Sequence, residues 1–131
     1  MFKLIASLNV ALALDSDIPK IKRVCVKNLM DDLSDMNFKL TDNDSSRESK
    51  LSRTIYYTMD ACMDLTEVPN IAPGDLIDLV LNAKDGATER ADTPVIFDAD
   101  GDDAVFQCRG LNIEFDCRLP GAKQSDPEQD I

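Results

Sequence analysis

Histidine is absent from this 131-residue chain, and so is tryptophan. Without histidine there is no side chain whose ordinary pKa lies near neutrality, and no imidazole metal ligand. Ser-His-Asp and Cys-His nucleophile systems are excluded, as are zinc sites that include histidine. Glycine is scarce, at five residues, and none falls in a phosphate-cradling motif. Positive charge is scarce as well, with 14 Lys and Arg against 25 Asp and Glu and a formal net charge of -11. A field of that sign repels phosphate backbones and excludes a broad basic surface for nucleic acid. It favours basic partners, or serves solubility alone. No apolar run is long enough to span a bilayer as a helix, so no membrane contact is expected. The four cysteines, Cys25, Cys62, Cys108 and Cys117, form no CxxC pair. That spacing argues against a zinc ribbon or a thioredoxin-like site. Catalysis would have to come from carboxylates, Lys, Tyr or Cys alone, so the expectation is a protein that is not an enzyme and takes no cofactor or metal.

What is present is enough apolar residue, 44%, to fold. The length suits one domain over residues 1–119. The last stretch, 120–131 (PGAKQSDPEQDI), has no apolar periodicity and reads as a flexible acidic tail. At the other end, Phe2, Leu4, Ala6, Leu8, Val10, Leu12 and Leu14 alternate at period two, the pattern of a long strand. The same stretch has one lysine, an apolar run and Ala11-Leu12-Ala13, which imitate an export signal. Ser7 and Asn9 interrupt that run, and the strand reading is preferred. The expected location is therefore cytoplasmic or within a viral particle, not secreted. The cysteines are expected to be reduced and buried.

Between the termini the pattern predicts two helices. Asp17 can cap the first, with Pro19 in its opening turn. Ile18, Ile21, Cys25, Leu29, Leu33 and Met36 follow at helical spacing, with Val24 and Val26 as a counter-signal. The second helix begins at a capping box, Ser45-Ser46-Arg47-Glu48, and carries Leu51, Ile55, Met59, Cys62 and Met63 to about Leu65. Residues 37–41 read as a short strand. Residues 76–86 fit a strand or a helix, and a strand that buries Ile77, Leu79, Leu81 and Ala83 suits the flanking Pro and Gly better.

Residues 97–117, FDADGDDAVFQCRGLNIEFDC, crowd four aspartates around one glycine. A calcium loop needs oxygen ligands at positions 1, 3 and 5, glycine at 6 and glutamate at 12. Counting from Asp98, position 6 is Asp103 and position 12 is Arg109, so the register fails. A hairpin turn at Asp100-Gly101 fits better, pairing Val95 with Phe106. A second turn at Gly110-Leu111 pairs Cys108 with Ile113. It leaves Cys108 and Cys117 about 13 Å apart along the ladder, too far to bridge. Both placements give one inner face, as in a meander.

These elements imply an α+β fold, with two helices packed on one face of a mainly antiparallel sheet that ends in a β-meander. The expected function is contact with a protein partner, as a subunit or accessory component of a larger assembly. A viral particle is one natural setting. Self-association is open, and direct nucleic-acid binding is not expected. The alternative is a small acidic inhibitor that mimics nucleic acid and occupies a basic groove on its target. Candidate contact residues are Asp98, Asp100, Asp102, Asp103 and Asp116, because a turn requires only Asp-Gly and the surplus acid needs another reason.

Overall fold

The structure is a computed structural model that describes residues 18–42 and 47–121. Eight strands follow in order: β1 (Lys20–Asn28), β2 (Met36–Asp42), β3 (Asp60–Asp64), β4 (Leu76–Ala83), β5 (Thr88–Arg90), β6 (Val95–Phe97), β7 (Asp102–Leu111) and β8 (Glu114–Arg118). One 3-10 turn, Leu65–Glu67, interrupts them. No α-helix occurs among the described residues, so the expected α+β fold is corrected to an all-β one.

The sheet path β2-β4-β6-β1-β7-β8 is mixed. β6 joins two leaves. It pairs antiparallel with the start of β4 and parallel with the start of β1. Beyond β6 the leaves part: β5 lies along β4, and β3 lies along β1. The result is a sandwich of β2-β4-β5 against β3-β1-β7-β8. Their inner faces share one core, with Val24, Val26, Phe38, Leu79, Leu81 and Phe106 almost wholly buried. Burying such side chains stabilises by about 1.5–3 kcal/mol each, which is what holds the leaves together.

The first predicted helix is β1. Its register against β7 slips between Ile21 and Arg23. That bulge breaks the period of two, burying Ile21, Val24 and Val26, and so leaves a spacing that imitates a helix. Val24 and Val26, the counter-signal, were the true one. The second predicted helix is also absent among the described residues, Ser45 and Ser46 of its capping box lying outside them. Glu48 bridges Thr41, and residues 49–55 run along the open edge of β2. There the Ser49 and Ser52 hydroxyls accept from the Leu40 and Phe38 N–H groups, each at 2.9 Å, doing the work of a ladder carbonyl. Residues 60–64 then form β3. Residues 37–41 and 76–83 are strands as expected, and Ile77, Leu79, Leu81 and Ala83 are buried. The predicted strand at 2–14, the Asp17 cap and most of the 120–131 tail lie outside the described residues.

The meander is corrected in its pairing, not in most of its inner face. Val95, Phe97, Ala104, Phe106, Cys108, Phe115 and Cys117 are all buried. However, β6 and β7 form no hairpin. Both run parallel to β1, on its opposite sides. The β7–β8 turn is centred on Asn112 and Ile113, with Leu111 opposite Glu114, so Ile113 points outward and is 70% exposed. Cys108 then lies directly opposite Cys117.

The expectation of reduced cysteines is overturned as well. Cys25 is bonded to Cys62, and Cys108 to Cys117, with Cα atoms 3.9 and 4.0 Å apart. Each bond ties neighbouring strands, β1 to β3 and β7 to β8. All four cysteines are used.

Candidate functional site

Asp98, Asp100, Asp102 and Asp103 come together at the start of β7, while Asp116 stands apart on β8. Residues 98–101 carry the chain across the start of β1, from its β6 side to its β7 side. The Asp98 N–H donates to the Ile21 carbonyl at 2.9 Å, and its Oδ1 accepts from the Asp100 N–H at 2.9 Å. The Gly101 N–H returns to the Asp98 carbonyl at 2.9 Å. Gly101 is needed for closeness: a Cβ there would lie 2.5 Å from the Lys20 carbonyl oxygen. Neither Asp100 nor Gly101 has the positive φ that the expected hairpin turn demands. Two of the acids have cations beside them. Asp103 is 3.4 Å from the Arg23 guanidinium, and Asp116 is 3.0 Å from Arg118 Nε.

A different place concentrates unusual features. β1, β4 and β7 end, and β2, β3 and β8 begin, at one end of the sandwich. Three loops and a hairpin turn gather there: residues 29–35, 56–59, 84–87 and 111–114. Asn28, fully buried at the end of β1, is their junction. Its Nδ2 donates to the carbonyls of Ser34 at 2.7 Å and Ile55 at 2.9 Å, and its Oδ1 accepts from the Met30 N–H at 2.9 Å. The Asp31 N–H donates to the Gly110 carbonyl at 2.7 Å, which docks the first loop on the hairpin. Asp32 reinforces that contact by accepting from the Asn112 N–H at 2.8 Å. The same bond is the main reason its carboxyl is held below the usual value, with the Ser34 contact second.

Of the large apolar side chains exposed among the described residues, Leu33, Tyr56, Tyr57, Met59, Leu111 and Ile113 are at this end; only Leu51 and Val105 are elsewhere. Every described non-glycine residue with positive φ is also here: Leu33 (63°), Thr58 (71°) and Asp85 (55°). For a leucine or threonine this conformation costs on the order of 1 kcal/mol or more, and such strain clusters where function demands a fixed loop shape. Leu33 combines strain with 59% exposure, so neither local preference nor burial explains it. Singly exposed apolar residues need no explanation; six gathered on neighbouring loops set this end apart from the rest of the described surface.

In sequence this site gives little signal, because its apolar members fall in the predicted helices or on the inner face of the meander, apart from Leu111 in the predicted turn. Leu33, Met59 and Ile113 were all assigned to the core. Tyr56-Tyr57, adjacent aromatics that cannot both face one side of a helix or strand, were the available hint.

No family model, no curated protein and no solved structure matches the chain.

Proposed function

We propose that the protein is a non-enzymatic contact module, a subunit or accessory component of a larger assembly, that engages a protein partner through this loop end. The observation that carries the reading is the coincidence there of exposed large apolar side chains with strained non-glycine backbone. A β-sandwich that fixes loops at one end is a rigid platform, and rigid aromatic side chains give contact area at low entropic cost. The disulfides add to the proposal. Bonds of this kind persist in oxidising surroundings, so the module works outside the reducing cytosol, and the cytoplasmic expectation loses its basis in free thiols.

Site-specific photo-crosslinking tests the contact surface. A photoreactive phenylalanine analogue replaces Tyr57 in one variant and Asp100 in another, and each is irradiated in the native source. Position 57 should give a discrete adduct that disappears when Ile113→Ser is added. Adducts from position 100 alone would move the contact surface to the aspartate crossing and refute the loop-end reading.

A further inference from the structure

We infer that the partner offers this loop end a polypeptide segment in which an aliphatic or aromatic side chain stands between lysines or arginines. The inference rests on the contact reading above and adds the chemistry of the partner. Around the exposed apolar residues stand Asp31, Asp32, Asp35, Asp60, Asp85 and Glu114, with Lys84 the single cation within the loops and Lys27 and Arg53 beside Asp60. None of the six acids takes part in an ion pair among the described residues. The cations Arg23, Lys39, Arg47, Arg90 and Arg118 all pair with carboxylates elsewhere on the molecule. Asp64, Glu67, Glu89, Asp98, Asp100 and Asp102 also lack ion pairs among the described residues, but only at this end do such carboxylates surround a group of exposed apolar side chains.

That combination selects a ligand. Like charges gathered around apolar surface repel one another, and a cation brought from outside relieves the repulsion as the apolar surface is covered. Asp32 is held ionised by its backbone hydrogen bonds, so the field persists at neutral pH. The same field argues against two other occupants. A second copy seated here about a twofold axis would set six acids against six. An anionic lipid surface would be repelled on the same ground.

The test uses the full chain with its disulfides intact as bait for a displayed library of short random peptides. Counter-selection uses the Tyr56→Ser/Ile113→Ser variant, first shown to unfold at the wild-type temperature. Peptides that survive should carry lysine or arginine on both sides of an apolar residue. The best of them, made synthetically, should weaken at least about tenfold between low salt and about 1 M, where the screening length is about 3 Å. Asp31→Asn/Asp85→Asn should weaken it in the same direction at low salt. Surviving peptides that are neutral or acidic, or that ignore salt, would overturn the basic-partner inference and leave the contact reading standing. A library that yields nothing dependent on Tyr56 and Ile113 would overturn both.

Discussion

Asn28→Ala should be among the most damaging single substitutions in this protein, although it removes only a small polar group. The side chain makes three hydrogen bonds, to the Ser34 and Ile55 carbonyls and from the Met30 N–H, and Asn28 itself is fully buried. Its backbone also holds the aromatic loop, donating to the Met59 carbonyl at 3.0 Å and accepting from the Thr58 N–H at 2.8 Å. Alanine keeps those backbone bonds and deletes the side-chain ones. Each net hydrogen bond contributes about 1 kcal/mol, and each stranded buried partner adds a desolvation cost, so the loss should total about 3–5 kcal/mol. Asn28→Asp is nearly isosteric yet should be no milder, because it turns a donor into an acceptor facing two carbonyls. Urea unfolding with the disulfides intact measures this directly. With a slope of about 2 kcal/mol/M, the midpoint should fall by about 2 M. Amide exchange should quicken at Met30 and Thr58 before it does in β4. A loss under about 1 kcal/mol would show that water or loop relaxation replaces the amide. The idea that one buried side chain fixes the loop end, and with it the strained Leu33 and Thr58, would then fail.

Further expectations concern the staples, the crossing and acid. Thiol counting under denaturing, non-reducing conditions should find no free thiol. Serine at both Cys25 and Cys62 should cost about 4 kcal/mol, and at both Cys108 and Cys117 about 3 kcal/mol, because separations of 37 and 9 residues close loops of different entropy. Gly101→Ala should destabilise by about 1–3 kcal/mol in thermal unfolding, since its Cβ would meet the Lys20 carbonyl oxygen at 2.5 Å; an unchanged midpoint would refute the tight crossing. Asp32 has a folded pKa below its ordinary 3.8, so its contribution is in place above that value and fades as pH falls through the folded pKa. Protection of the Asn112 amide, its exchange by NMR divided into the intrinsic rate at each pH, should therefore be constant near neutrality and fall only well below pH 4; a loss of protection near pH 6 would point to another group.

Legibility of the fold depended on whether a segment's burial had one simple period. β2 and β4 could be read because each stays in register along its whole length, and β4 alternates buried Ile77, Leu79 and Leu81 with half-buried Asp78 and Asn82. β1 could not. A bulge shifts its inner residues from Ile21 to Val24, and Cys25, on the other face, is buried by its bond to Cys62. Residues 49–55 failed for another reason. They follow the edge of β2 without being a regular strand, using serine hydroxyls in the ladder, and no periodicity describes such a path. The C-terminal strands show how a face can be legible when pairing is not. Alternation correctly placed Phe97, Phe106 and Phe115 inside, but alternation cannot tell two strands that adjoin each other from two that flank a third.

The glycines misled in an instructive way. The sequence predicts turn centres at Gly101 and Gly110, because glycine admits positive φ. In the fold Gly101 serves close passage over Lys20. Gly110 does have positive φ, at 123°, but it sits within the β7–β8 ladder, where a Cβ would lie 2.7 Å from the Glu114 carbonyl oxygen. The chain therefore turns two residues later than the glycine suggests. That displacement has two consequences. It brings Cys108 opposite Cys117, where a bond can form, and it turns Ile113 out to the loop end. A shift of the turn thus converts an expected core residue into an exposed one and two expected thiols into a staple. The disulfide and the exposed isoleucine are products of the same register, so a variant that forces the turn back to Gly110-Leu111 would have to lose both together.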